Sequence, residues 1–170
     1  MATVLPRHPI DSSTVPACRC RASQHVGVAM TTSRIDASTQ RAYRETDYRV
    51  ATEPPFVLRI GTFSPELAAL HGDYAVTASA FITACNPRSK PLDVAENARR
   101  QKELAGTLAE TGWRWIDGVG CHPSNGWPGE PSYLVPGLPR ESACALGRQF
   151  EQNAIVWCGA DAVPELILLR

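Results

Sequence analysis

Nine polar residues carry most of the chemistry expected of this 170-residue chain: Thr83, Asn86, Ser89, Asn97, Arg100, Glu130, Ser132, Gln152 and Asn153. Five of them fall in one stretch, Ala80–Arg100, which reads A-F-I-T-A-C-N-P-R-S-K-P-L-D-V-A-E-N-A-R-R. An apolar run there meets a polar turn and then a helix that starts at Asp93. Hydroxyl and carboxamide side chains offer donors and acceptors without fixing a ligand's charge. The free N–H groups of the helix start favour an anion, and Arg100 can pair with phosphate or carboxylate. The ligand expected from these residues is an unidentified small molecule, anionic or nucleotide-like. Glu130 is the weak candidate for a catalytic group, as a general acid or base.

The same residues also support a second reading, in which they only hold the fold. Buried polar groups usually satisfy backbone donors and acceptors. Asn86 and Ser89 then tie the turn, Asn97 bonds a loop carbonyl, and Glu130 pairs with Arg100 or Arg148. Asp93 at the helix cap also repels an anion. The alternatives are therefore a binding pocket, enzymatic or not, and a non-catalytic regulatory or protein-interaction module.

Other motifs are weaker. Cys121-His122 is a poor thiol–imidazole pair, because catalytic Cys and His meet in space and seldom in sequence. Only His71 and His122 fall in the folded part, too few for a histidine-based metal site, and no metal is expected. Cys18-x-Cys20 with His25 is a remote ligand set in the N-terminal tail. There is no G-x-G-x-x-G, no G-x-x-x-x-G-K-[ST] and no G-x-S-x-G, so no cofactor is expected. Trp113, Trp115 and Trp157 sit in apolar runs as core candidates; Trp127, alone in a Gly/Pro loop, faces a ligand more readily.

The elements that must position these residues follow from periodicity and punctuation. A short helix spans about residues 39–46, with Tyr43 as its inward anchor. Strands are expected at 48–52 and 56–60, and a short helix at 65–70 is capped by Ser64 with Pro65 first. Residues 74–85, apolar on both faces, read as a central strand. Asp93 and Glu96 form a capping box for a long helix whose stripe contains Val94, Asn97, Gln101, Leu104, Ala105 and Leu108. Gly112 ends it. A short strand is placed at 113–116, and Gly/Pro-rich residues 117–131 read as a long loop or lid. Residues 132–135, 154–158 and 166–169 read as strands and 139–150 as a helix. The fold class is α/β (or α+β), a single domain at residues 33–170 with a mixed β-sheet flanked by helices.

Charge is balanced, 17 basic against 17 acidic residues, which argues against general nucleic-acid binding and binding at a membrane surface. No run approaches the roughly 20 apolar residues of a membrane span. Six cysteines without C-x-x-C spacing, and no export signal, point to reduced thiols and a soluble, cytoplasmic protein. Residues 1–32 read as a disordered or over-extended N-terminus, with Met30 as the alternative start.

Four pieces resemble a known family: F-I-T-A-C-N-P-R-S, the helix E-N-A-R-R-Q-K-E-L, the E-P-S of Glu130–Ser132, and L-G-R-Q-F-E-Q-N-A-I-V-W from Leu146. Together they are similar to an uncharacterised bacterial family, domain of unknown function 3293, from about Tyr43 to the C-terminus. Relatives tend to carry glycine where Glu151 stands and a bulkier residue at Cys85. The resemblance implies no established activity and assigns no catalytic role.

Overall fold

Each of the first three helices begins where a side chain accepts from its free N–H groups. In the computed structural model, which describes residues 34–124 and 126–170, Asp36 accepts from the Thr39 N–H and opens α1 (Ala37–Glu45). The expectations for residues 1–32, including Cys18, Cys20, His25 and the Met30 start, lie outside the described residues. Next come β1 (Asp47–Val50) and β2 (Phe56–Leu58). Ser64 caps α2 (Pro65–Asp73) through the Leu67 N–H at 3.1 Å. β3 (Ser79–Ile82) is buried at every position. A 3-10 turn at Pro87–Ser89 then leads to Asp93, which accepts from the Glu96 N–H at 2.8 Å and caps α3 (Val94–Glu110). β4 (Ile116–Cys121), β5 (Glu130–Pro136), α4 (Arg140–Gln149), β6 (Ala154–Cys158) and β7 (Pro164–Leu168) follow.

The strands form one sheet in the order β2-β1-β4-β5-β3-β6-β7. Its two faces follow the period-2 alternation of side chains along a strand. On one face Tyr48, Val50, Phe81, Leu134 and Val156 pack with Leu67 and Leu70 of α2. On the other, Ala80, Ile82, Val135 and Ile155 pack with Leu104 and Leu108 of α3 and Ala143 of α4. The expected α/β (or α+β) class is what the structure has. The sheet, however, is antiparallel at every pairing among the described residues. The rule that ligands sit beyond the carboxyl ends of parallel strands therefore has no purchase here. One sheet end instead gathers the C-terminal ends of β3, β4 and β7 and the N-terminal ends of β1, β5 and β6, as the pairs Cys121↔Asp47, Gly120↔Glu130, Ile82↔Tyr133 and Leu168↔Ala154 show.

Several expected boundaries move for physical reasons. The strand expected over 74–85 shrinks to Ser79–Ile82, because α2 continues through Asp73 and buries Leu70 and His71. His71 Nε2 and Ser79 Oγ are hydrogen-bonded at 3.0 Å, joining that last turn to β3. Of the strand placed at 113–116 only Ile116 belongs to β4. Trp113 instead closes α3, its N–H reaching Leu108 O at 2.9 Å past Gly112 at φ 78°. In α3 the stripe holds at Gln101, Leu104 and Leu108, but Val94 is 87% exposed. The first turn of α3 meets the polar turn at Asn86–Leu92 through Asn97, rather than the sheet.

The largest revision concerns the loop expected at 117–131: residues 117–121 belong to β4 and 130–131 to β5, so the connection shrinks to residues 122–129. Gly118 of β4 makes room for a ring. A Cβ on Gly118 would stand 2.6 Å from Phe81 Cε2 and 2.7 Å from Arg49 O, and one on Gly120 would touch Thr46 and Tyr48. Phe81 packs edge-on against Tyr48, ring centroids 5.4 Å apart. Glycine inside a strand commonly marks such a close approach.

Gly118→Ala should therefore destabilise the protein by about 1–3 kcal/mol through overpacking. Gly106→Ala, on the exposed side of α3 with nothing within 4 Å of the added Cβ, should stabilise it by about 0.5–1 kcal/mol. Urea unfolding of both variants checks the pair. Equal effects would mean that the β4 glycines are there for flexibility.

Candidate functional site

The sheet end described above carries a pocket of about 260 Å³. Its floor is sheet, with Tyr48, Phe81, Gly120, Ser132 and Val156 on the α2-bearing face. Thr39, Ala42 and Tyr43 of α1 line it, as do Asn86 and Ser89 of the polar turn and Trp127 and Glu130 at the entry to β5.

The polar turn is built from two facing carboxamides. The Asn86 N–H donates to Asn97 Oδ1 at 2.8 Å, and Asn97 Nδ2 donates to Asn86 Oδ1 at 2.9 Å. Asn86 Oδ1 also accepts from the Leu92 N–H at 2.9 Å, and Asn97 Nδ2 reaches Leu92 O at 3.2 Å. The pair leaves Asn86 Nδ2 to donate to Glu130 Oε1 at 2.6 Å. Trp127 Nε1 donates to the same oxygen at 2.9 Å. Asn86 sits at φ 47°, a left-handed conformation that asparagine tolerates better than most residues. Arg88, Ser89 and Glu151 also have positive φ. Glycine at the position of Glu151, as the resemblance implies for relatives, fits its φ of 56°.

Six of the nine residues singled out from sequence line the pocket: Thr83, Asn86, Ser89, Glu130, Ser132 and Gln152. Several of these also hold backbone. Thr83 Oγ1 donates to Pro131 O at 2.8 Å and Ser132 Oγ to Glu130 O at 3.0 Å. Gln152 Nε2 donates to Cys85 O at 3.0 Å. Asn153 does not line the pocket but donates to Tyr43 Oη at 3.2 Å and Ser89 Oγ at 3.1 Å, joining α1 to the turn. Asn97 stands one layer behind Asn86. Arg100 is turned away from any ligand: its Nε reaches Ala84 O and its Nη2 reaches Phe150 O, each at 2.9 Å. The expected pairing of Glu130 with Arg100 or Arg148 does not form: Arg100 is held on the two carbonyls, and Glu130 Oε1 accepts from Asn86 and Trp127 instead.

The pocket also contains residues that were not read as site residues. Tyr43 shares a short hydrogen bond with Ser89, and the buried Tyr48 hydroxyl donates to Tyr43 O at 2.7 Å. Tyr43 was legible only as an anchor, since nothing local marks a helix as the wall of a pocket 40 residues downstream. Burial, with Tyr43 and Glu130 nearby, raises the Tyr48 pKa far above its ordinary value.

Glu130 is the ionisable group of consequence. Burial raises its pKa above the usual carboxylate value, and the donations from Asn86 and Trp127 oppose that rise. Its Oε2 makes no hydrogen bond among the described residues. A half-desolvated carboxyl with one oxygen held and the other unbonded can accept or deliver a proton. Cys121 Sγ faces His122 O at 3.9 Å rather than the ring, so no thiol–imidazole pair exists there. His122 Nδ1 accepts from the Ser124 N–H at 3.2 Å, and Nε2 stands 3.4 Å from Glu45. Burial raises the pKa of the Cys85 thiol, the opposite of what a nucleophile needs. Among the described residues no cluster of His, Cys, Asp and Glu is arranged to hold a metal ion, and no helix is long and apolar enough to cross a membrane.

A second depression of about 680 Å³ lies on the α3 side and shares Asn86, Trp127 and Glu130 with the first. Gln101 lines it, with Oε1 accepting from the Ala84 N–H at 3.0 Å. Burial raises the pKa of the neighbouring Tyr133 phenol, with the Gln101 side chain opposing the rise, and Gln101 Nε2 makes no hydrogen bond among the described residues.

Residues 82–155 match the model of a family described as a protein of unknown function, DUF3293. That segment contains all nine singled-out residues but not Tyr43 or Tyr48 of the pocket. Comparison with curated proteins and with solved structures found no match.

Two consequences can be measured. Asn97→Ala strands the Asn86 N–H and loosens the turn, so it should lower stability by about 1–3 kcal/mol; a loss below about 0.5 kcal/mol in urea unfolding would remove the carboxamide pair from the account. Glu130 holds its proton to higher pH in the folded chain than in the unfolded one. This contribution to stability is complete below the ordinary value of 4.5 and is lost as pH rises through the folded value. Stability of the wild type relative to Glu130→Gln should thus fall with rising pH above about 4.5; a difference independent of pH would contradict the raised value.

Proposed function

We propose, from the premise that the chain belongs through residues 82–155 to DUF3293, a family of proteins of unknown function, that the protein binds a small polar molecule in the pocket beside α1. Glu130 is the group that recognises the ligand and is able to exchange a proton with it. The observation carrying this reading is the state of its carboxylate: Oε1 is held by Asn86 and Trp127, and Oε2, in the pocket, makes no hydrogen bond among the described residues. That oxygen is not a buried orphan; it opens into the pocket on a half-desolvated residue, where it is available to a ligand's donor. Asn97 and Asn86 stand behind it as positioning residues.

The volume of about 260 Å³ suits a nucleobase-sized ring rather than a whole nucleotide. Of the ligand classes expected from sequence, the nucleotide-like one keeps support for its ring portion. The anionic one loses its cation, because Arg100 is bound to two carbonyls. The alternative of a module whose polar residues are purely structural draws support from Arg100, Asn97 and Gln152, all tied to backbone groups. It draws none from Glu130.

A thermal-shift screen of the wild type against nucleosides, sugars, amines, carboxylates and phosphates should yield a ligand whose effect is lost in Glu130→Gln. The variant should stay folded, since an amide oxygen still accepts from Asn86 and Trp127. No shift from any compound with the wild type, or shifts undiminished in the variant, would end this reading.

A further inference from the structure

We propose that the ligand is a small organic cation, with an amidinium, guanidinium or ammonium group, held between the Glu130 carboxylate and the surrounding aromatic rings. The inference rests on the binding role of the pocket and specifies its ligand class.

Charge is the first ground. Among the described residues lining the pocket there is no Lys or Arg, and Glu130 is the one carboxylate. The remaining ionisable side chains are Tyr43, Tyr48 and His122, and the His122 ring faces Glu45 at 3.4 Å. Nearby guanidinium groups are engaged elsewhere: Arg100 on Ala84 O and Phe150 O, and Arg88 on Glu151 at 2.7 Å. An anion entering the pocket would meet a carboxylate and no counter-charge. The carboxylate has two neutral donors on Oε1 and no cationic partner, and a cation would supply both the opposite charge and N–H donors to Oε2.

Ring chemistry is the second ground. Tyr43, Tyr48, Phe81 and Trp127 line the same pocket. Electron-rich ring faces attract cations, most strongly where water is displaced. Size agrees as well, because about 260 Å³ exceeds the roughly 150 Å³ of a cavity that admits benzene.

Three probes with the same ring and different charge test the class: benzamidine, benzamide and benzoate, titrated calorimetrically into the full chain. Benzamidine should bind at least about tenfold more tightly than benzamide, with benzoate weakest. Glu130→Gln should abolish the preference for the cation, and Trp127→Leu should weaken benzamidine more than benzamide. Benzoate or benzamide binding best, or a cation preference that survives Glu130→Gln, overturns the proposal. A neutral or anionic compound from the wider screen whose binding depends on Glu130, with benzamidine inert, overturns the cation class while the pocket's binding role stands. If no compound of either set binds, both fall. Should Glu130→Gln not fold, the order of the three probes on the wild type and on Trp127→Leu still decides.

Discussion

The site depends on two carboxamides that face each other. Asn86 and Asn97 each give and accept a hydrogen bond in the pair. Each also reaches Leu92, through its N–H or its carbonyl. The arrangement turns the chain from the buried end of β3 into the first turn of α3 with its polar groups met. It also fixes one Asn86 N–H on Glu130. A side chain with only an acceptor or only a donor could not fill either place, because each carboxamide uses both ends at once. The positive φ values at Asn86, Arg88 and Ser89 mark a turn held in a conformation that its residues do not prefer.

Around this turn the antiparallel sheet brings together pieces far apart in sequence. Strands that run in opposite directions present both starts and ends at one rim. Residues just after β3, at the start of β5 and just before β6 thus become neighbours, as Thr83 with Pro131 and Cys85 with Gln152 show. α1 is tied to the same rim by the Tyr43, Ser89 and Asn153 hydroxyl and amide contacts. The small residues on the floor, Gly120 and Ser132, leave space between the rings of Tyr48, Phe81 and Trp127. The pocket is a consequence of large rings beside residues with little or no side chain.

Arg100 shows why residue type alone misleads about charge. From sequence it is the obvious partner for an anion. In the fold its planar guanidinium meets two carbonyls, Ala84 O and Phe150 O, and clamps α3 to the ends of β3 and α4. Carbonyls left over at strand and helix ends need donors as much as ligands do, and arginine has five. Glu130 is the reverse case. It falls in the stretch read as a loop, yet it begins a strand whose neighbours desolvate it.

The elements marked by local chemistry were legible from the chain alone. Ser64, Asp93 and Gly112 announce helix ends because capping is satisfied within a few residues. The strand–turn–helix order of Ala80–Arg100 also followed from side-chain types and the helical period, and the fold brings Asn86, Asn97 and Glu130 together there, with Gln152 on Cys85 O. What only the tertiary structure decided was pairing: that 117–121 is strand, that every neighbour is antiparallel, that α1 forms a wall of the pocket, and that Arg100 faces backbone. Those outcomes depend on contacts between residues tens of positions apart. In β4, glycine is selected by the Phe81 ring across the sheet, and no window of local sequence contains both.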